Sequence, residues 1–469
     1  MKSKTKILED PNETLFNNEQ LFTDDYTIKS KSTNFKDIKT RVDKIHIDGV
    51  NRTKHDILTS QVKELFGAKN FEDVIFNSYK VLGKLKSLEC FNTVEVHIDT
   101  SHGIDSTPEG VEVTFKVREL NRVMGKINTM FGNNEASLHI GTKAPNLFGR
   151  AEKLQIDYVC GHKNLSNINI SATKPFFTEG LQKVLTASIY DTSSEYSWSG
   201  YKQNDKGFLL DFAFNVNEYG ILKQNLQYEA VVREVKSIKQ APFQILEQCG
   251  PTLKSCFRYI CNVDKRDQSI FPSTGNLLQI TTEVAGCGGN IGFLKSEAIT
   301  QTNWSPHESI TFQLSAQVGI LREMSNDLKI NIVDKFFLGG PLNIRGFDIR
   351  GCGPKEQGYS VGGNTYWAIA LHLYSRLPFV PRNNNFSDFF RLHGFVNGGN
   401  VYNISSKTGN NYEEHLKMIT QNIRCAAGCG IAFKLGNAAR VELNFCLPLK
   451  FHRSDVHKQI QLGLGLQYL

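Results

Sequence analysis

Residues 222–233 read LKQNLQYEAVVR, and their pattern decides the fold: Leu222, Leu226, Tyr228, Ala230 and Val232 alternate with Lys223, Asn225, Gln227, Glu229 and Arg233. Successive side chains of an extended chain point to opposite faces, so one face is apolar and the other charged. The pattern recurs at 153–158, where Leu154, Ile156 and Tyr158 face away from Lys153, Gln155 and Asp157, and at 440–446, where Val441, Leu443 and Phe445 oppose Arg440, Glu442 and Asn444. A soluble sandwich alternates too, but its run ends sooner. Sustained from residue 121 to residue 469, the alternation fits a membrane barrel with a wet lumen. Candidate strands lie near 122–131, 134–144, 151–161, 165–175, 181–193, 206–216, 221–234, 253–264, 274–285, 291–302, 308–320, 363–376, 390–402, 424–435, 438–448 and 458–469, sixteen in all. An even number puts both ends of an antiparallel barrel on one side. Nowhere does an apolar run reach the ~18 residues of a membrane helix, so any membrane crossing is made by strands. The expected fold class is an all-β transmembrane barrel of about 16 antiparallel strands, preceded by one small α+β domain.

That smaller domain is read from residues 41–120. Val42, Ile45 and Ile47 alternate as a strand; Ile57, Leu58, Val62 and Leu65, then Phe71, Val74, Ile75, Tyr79, Leu82 and Leu85, fall at helical spacing; two strands follow at 93–100 and 111–120. Two amphipathic helices on one face of a three-stranded sheet give a two-layer domain. Residues 1–40 are polar and aperiodic, which predicts a disordered tail. The first residues carry neither a secretory signal nor an Arg-rich presequence.

The segment 321–362 breaks the strand rhythm, and long connections within compact folds are usually functional. It contains FFLGGPLNIRGF at 336–347 and runs on to VGGNTYW at 361–367; GNNEASL at 132–138 and PNLFGRAE at 145–152 are further distinctive stretches. Together these resemble the outer-membrane barrel-assembly superfamily, whose bacterial member is the Bam complex barrel subunit. With one preceding α+β domain and no signal peptide, the chain looks most like the branch of that superfamily at the core of the mitochondrial sorting and assembly machinery. The resemblance covers residues 41–469, with 41–120 similar to a polypeptide-transport-associated (POTRA) domain and 121–469 to the barrel, including an inward loop near 336–362. It implies insertion and folding of β-barrel precursors into the mitochondrial outer membrane, with the POTRA domain in the intermembrane space. Implied partners are unfolded β-barrel precursors, accessory subunits and the lipid bilayer.

In such a loop the arginine fixes the tip against the inner wall. Here it is Arg345, within Ile344, Arg345, Gly346 and Phe347. Arginine offers five donors in a fixed fork, and glycine permits close backbone approach. The wall positions where the bacterial pattern has acids correspond to His372 and Asn397, both neutral types; Asn397 can accept from Arg345, and Glu442 is a candidate charge partner. The last strand, QLGLGLQYL at 461–469, is similar to the family's terminal β-signal through Gln461, Gly463, Leu466 and Tyr468. Gly125 in the first strand, with Gly463 and Gly465 in the last, predicts weak pairing across a seam that opens sideways as a gate.

Other classes fit less well. A net charge of +7 with interleaved signs gives no nucleic-acid footprint. The ten cysteines include no CxxC pair and no zinc spacing with histidine, so no metal or other cofactor is expected. No GxSxG, HExxH or P-loop is present, which argues against an enzyme. A passive diffusion pore or a polypeptide-translocating pore shares the barrel and is the competing expectation.

Overall fold

The computed structural model describes residues 35–469 except 104–105, 133–134, 162–165, 179–180, 217–220, 239–240, 326–327, 378–388, 405–419, 437–438 and 466–468. Most of the predicted tail, 1–34, lies outside the described residues.

The first layer pair is built from β1 (Arg41–Asp48), α1 (His55–Val62), α2 (Phe71–Ser87), β2 (Phe91–Thr100) and β3 (Gly110–Glu119). The sheet order is β1-β3-β2, with β1 parallel and β2 antiparallel to the central β3. α2 buries Val74, Ser78, Val81 and Leu85, a stripe at i, i+4, i+7 and i+11. Tyr79, expected on that stripe, stays exposed because the buried stripe runs through Ser78 and Val81 on either side of it. The packed interior joins Leu58, Leu65, Val74, Val81, Leu85, Val113 and Phe115.

From Met124 onward the chain forms one sheet of sixteen antiparallel strands. They are β4 (Met124–Gly132), β5 (Glu135–Pro145), β6 (Lys153–Gly161), β7 (Ser166–Thr178), β8 (Leu181–Tyr196), β9 (Tyr201–Asn215), β10 (Leu222–Ser237), β11 (Gly250–Asp264), β12 (Gly275–Gly289), β13 (Phe293–His307), β14 (Ile310–Glu323), β17 (Thr365–Ser375), β18 (Phe390–Tyr402), β19 (Arg424–Leu435), β20 (Ala439–Lys450) and β21 (Ile460–Gly465). A short helix, α3 (Phe243–Leu246), sits between β10 and β11; a two-residue hairpin, β15 (Lys355–Glu356) with β16 (Tyr359–Ser360), sits in the long connection after β14. Each strand of the large sheet pairs with its neighbour in the chain, except that β14 passes over the hairpin to β17.

Burial along the strands inverts the usual order. In β14, Phe312, Leu314, Val318 and Ile320 are exposed while Gln313 and Ser315 are buried; in β20, Leu443, Phe445 and Leu447 are exposed while Glu442 and Asn444 are buried. An apolar exterior around a polar interior is the pattern that hydrocarbon requires.

The two parts meet at the β5–β6 turn. Gly149 Cα approaches so closely that a Cβ there would stand 2.4 Å from the Arg52 carbonyl oxygen, and its φ of +88° also favours glycine. Lys54 N–H donates to the Gly149 carbonyl (2.8 Å), Asn146 Nδ2 donates to Thr53 Oγ1 (2.8 Å), and Ala151 packs into the interior of the smaller domain. Glu119 accepts from Thr53 Oγ1 (2.7 Å), Thr53 N–H (2.9 Å) and Arg52 Nε (3.2 Å). Hydrogen bonds from Lys143 and Lys153, opposed by partial burial, hold the Glu89 carboxyl down at about 2. Beyond Pro145, which ends β5, the PNLFGRAE stretch is thus a joint.

Candidate functional site: the inward loop and the last strand

The connection after β14 enters the sheet's polar interior. Ile344, Arg345 and Phe347 are fully buried. Ile344 fills the space left by Gly399, where a Cβ would lie 2.6 Å from Ile344 Cδ1. Gly346 has φ +90°, and a Cβ there would stand 2.8 Å from Ala426 Cβ, so this turn against the wall takes only glycine without strain.

Arg345 meets its acid in Glu442. Nε and Nη2 donate to Glu442 Oε2 at 3.1 and 3.0 Å, Nη1 donates to the Leu469 carbonyl (3.4 Å), and the guanidinium lies over the Phe395 ring, 5.3 Å from its centroid. Glu442 also pairs with Arg440 (2.8 Å) and accepts from Asn444 (2.9 Å). Asn397, with its amide turned to suit its neighbours, accepts from the Arg345 backbone N–H (2.8 Å) and donates to the Ala426 carbonyl (3.2 Å). It therefore holds the loop backbone rather than the guanidinium. His372 makes no hydrogen bond to the Arg345 guanidinium among the described contacts; its Nε2 bonds the Leu469 carbonyl (2.6 Å) and its Nδ1 meets His393 Nε2 (2.8 Å). The acid that neither His372 nor Asn397 supplies comes from β20, so a buried ion pair forms with a different wall strand.

Gln461, at the start of β21, points inward and clamps the loop. Its Oε1 accepts from the Gly346 N–H (3.0 Å) and its Nε2 donates to the Phe347 carbonyl (2.6 Å). The turn leading into β21 pairs with the same segment: Lys458 N–H donates to the Gly346 carbonyl (3.0 Å), Asp348 N–H to the Val456 carbonyl (2.9 Å), and Val456 N–H to the Gly351 carbonyl (3.1 Å). Gly463 stands opposite Glu442 and Gly465 opposite Arg440 in the β20–β21 ladder. Cross-strand partners share a face, so Gly463 leaves the Glu442 side free for Arg345. Leu466 and Tyr468 lie outside the described residues. Leu469 is buried and its N–H donates to the Leu342 carbonyl (2.9 Å). Gly125 of β4 pairs with Thr142 and has open space about it. Among the described residues β4 and β21 end the sheet and share no pairing.

Two further attachments were not read from the sequence. Asp334, just before the signature stretch, accepts from Arg233 Nη1 (2.7 Å) and lies 3.7 Å from Lys254 Nζ, while Lys295 donates to its carbonyl (3.0 Å). Lys254 also pairs with Glu283, and Arg258 bridges Glu229 (3.1 Å) and Glu283 (3.2 Å). Arg350 stacks over Phe337 at 3.8 Å and Tyr196 at 4.3 Å and donates to Ser199 Oγ (2.9 Å). A signal existed for it, since Ile349, Arg350 and Gly351 repeat the triplet of Ile344, Arg345 and Gly346.

A family model described as the Omp85 superfamily domain matches residues 146–468. The chain is 37% identical over 431 residues to the sorting and assembly machinery component 50 homolog B of Xenopus laevis, covering 91% of this chain and 90% of that relative. Against the Homo sapiens sorting and assembly machinery component 50 homolog it is 36% identical, with the same coverage of 91% and 90%. The crystal structure of BamA from Haemophilus ducreyi lacking POTRA domains 1-3 superposes with a TM-score of 0.72 at 17% identity, covering 90% of this chain and 84% of that one, a likeness of fold alone. The chain, with its inward loop tied to the last strand, belongs to the Omp85 superfamily, in its sorting and assembly machinery component 50 family.

Proposed function

We propose that this protein inserts and folds β-barrel precursor proteins in the mitochondrial outer membrane, using the seam between β4 and β21 as a lateral gate. The observation that carries the reading is the sheet that ends in two strands sharing no described pairing, with the last of them gripped from inside by the loop. In lipid, an unpaired strand edge leaves backbone groups without partners at several kcal/mol each, so such an edge favours any strand that can pair with it. A precursor strand adding to β4 recovers those bonds by β-augmentation. The inward loop, gripped from several walls, fits this role better than that of a passive pore. Arg345 and Phe347 fill polar space that a diffusion channel keeps open.

The small domain precedes β4 directly, so it faces the side on which both barrel ends lie. We place that side in the intermembrane space, where precursors and accessory subunits would be met. Depleting the protein should reduce newly assembled outer-membrane barrels while helical outer-membrane proteins persist; equal loss of both classes overturns the reading. Protease added outside intact mitochondria should spare residues 41–120, and their removal would reverse the orientation.

A further inference from the structure

A second contact crosses the lumen, on the opposite side of the Arg345 cluster from the inward loop. β4 enters from the small-domain side and the strands alternate in direction, so the β11–β12 connection, residues 265–274, lies on that side. Its sequence, KRDQSIFPST, is polar apart from Ile270, Phe271 and Pro272, and these three are buried while Asp267, Gln268 and Ser269 stay exposed. The base of the connection is stapled. Asp267 accepts from the N–H groups of Ser273 (2.9 Å) and Thr274 (3.2 Å), and Ser305 Oγ donates to the Ser273 carbonyl (2.8 Å). The apolar tip then reaches strands far along the sheet. Ile270 and Phe271 pack with Ala432 of β19, and the Phe271 ring lies 6.3 Å from that of Tyr374 in β17. The guanidiniums of Arg391 in β18 and Arg440 in β20 lie over the Phe271 ring at 5.4 and 6.0 Å. Neither β11 nor β12 pairs with any of these four strands. Beside Phe271, Tyr374 and Arg440 only about 20 Å³ of free space remains, room for about one water.

Two lines of contact run on from this tip to the inward loop. Ala432 stands opposite Glu442 in the β19–β20 ladder, and Arg440 pairs with Glu442 (2.8 Å), the acid that holds Arg345. Tyr374 stacks on His393 at 4.7 Å, His393 on His372 at 5.0 Å, and His372 bonds the Leu469 carbonyl that Arg345 also reaches. We infer that residues 265–274 form a strap across the lumen, and that Phe271 is a positioning residue that sets Arg440 and the wall β17–β20 for the Arg345–Glu442 pair. Drawing the ring into water loses both its buried apolar area and its contacts with the two guanidiniums. Once it leaves, Arg440 is free to swing away from Glu442, and the loop tip loosens from the small-domain side. Along this wall the strap stands between the small-domain mouth of the lumen and the loop tip, so a disturbance at that mouth reaches the loop through Phe271.

A native thiol reports the loop tip. Cys446 is buried beside Gly346, with its Sγ 3.7 Å from Gln461 Oε1, so it meets water only when the tip lifts away. Cys256 in the back wall and Cys90 in the small domain are equally enclosed and serve as references. The full chain in lipid nanodiscs is treated with iodoacetamide, and alkylation of each cysteine is followed by peptide mass spectrometry. Phe271→Ala should speed alkylation of Cys446 about tenfold through more frequent local opening, and leave Cys256 and Cys90 unchanged. Phe271→Tyr keeps a ring face for both guanidiniums and should stay near the unaltered rate. A disulfide between Ile270→Cys and Ala432→Cys, which pack in one cluster, fixes the strap and should slow Cys446 below the unaltered protein. Unchanged Cys446 alkylation in both the Phe271→Ala and the disulfide-fixed proteins overturns the strap. A parallel rise at Cys446, Cys256 and Cys90 in Phe271→Ala overturns it too, since the ring would then only support the fold at large. A Phe271→Tyr rate as high as that of Phe271→Ala overturns the role given to the ring.

Discussion

The two halves of the barrel wall are built from the same alternating material and differ in strand length. Strands β7–β14 run 13 to 16 residues, whereas β4 and β6 have 9. At ~3.3 Å per residue the long strands extend roughly 50 Å along their own direction and the short ones roughly 30 Å. The lumen contacts differ as well. Behind, Asp334 locks the base of the inward loop into a web of Arg233, Lys254, Arg258, Glu229 and Glu283 carried on neighbouring long strands. In front, the loop tip is held by Glu442 and Gln461, both on the short-stranded side next to the seam. Both walls are laddered by backbone pairing and both receive contacts from the loop, but the ladders of β4 and β6 are shorter, so the loop's contacts beside the seam carry a larger share. A wall held by side chains can be released without breaking a long ladder.

The largest effect should come from fixing the seam. Cysteine pairs placed one within residues 124–128 and one within 460–465, with exposed Cys160, Cys287 and Cys429 replaced by serine, should stop precursor insertion once oxidised and restore it on reduction. A matched pair across β10 and β11 at Leu226 and Tyr259, which are opposite in that ladder, should leave insertion unchanged. Full insertion by the seam-locked protein would remove the functional distinction between the walls. Next comes Arg345→Ala. Breaking a buried ion pair by removing one partner typically costs ~3–5 kcal/mol, so the folded band on semi-native gels should melt well below that of the unaltered protein, and insertion should fall. Arg345→Lys should rescue poorly, because an ammonium cannot reach Glu442 and the Leu469 carbonyl as a fork. Normal melting and insertion in both variants would show that the front wall does not depend on the loop.

Asp334→Asn sharpens the contrast. It removes the carboxylate between Arg233 and Lys254 but leaves Glu229 and Glu283 beside Lys254. Loss of one hydrogen-bonded charge in a web that remains partly paired should cost ~1–3 kcal/mol. Heat stability should drop while insertion per folded molecule stays near normal. Insertion lost out of proportion to folded protein would place the back attachment in the gate as well.

The barrel was readable because alternation is a local signal repeated sixteen times, and each repeat reinforces the others. The loop motif was readable because IRGF next to VGGN is rare in combination. Partner assignment was readable only as a choice among His372, Asn397 and Glu442, since it depends on which wall strands the loop tip meets in space. Glu442, 97 residues from Arg345, is the one that meets the guanidinium. Asp334 and Leu469 were invisible for the same reason: an ordinary aspartate and a terminal leucine gain meaning only from what surrounds them. The joint at 145–152 is distinctive in sequence but silent about its purpose, because the reason for Asn146, Gly149 and Ala151 lies in Thr53, Arg52 and the small domain's interior.

The smallest expected effect concerns that joint, where the wall's base meets the small domain, and it has a definite pH sign. Burial alone would raise the Glu119 carboxyl, but hydrogen bonds from Thr53 and Arg52 outweigh it and hold the group down at about 2. A depressed folded value means stabilisation that is present in full above the unfolded carboxylate range of ~4.3 and is lost as pH falls toward the folded value. Holding the carboxyl this far below its unfolded range contributes roughly 2–3 kcal/mol, lost between about pH 4.5 and pH 2. Because Thr53 also receives Asn146 from the barrel, weakening Glu119 loosens the domain and its attachment together. Glu119→Gln should therefore lower the melting temperature at pH 7 and flatten its decline between pH 4.5 and pH 2, with the barrel's own transition little changed. An unaltered pH profile in that variant would mean that the joint is held by packing of Ala151 and the Gly149 backbone contact rather than by the Glu119 carboxylate.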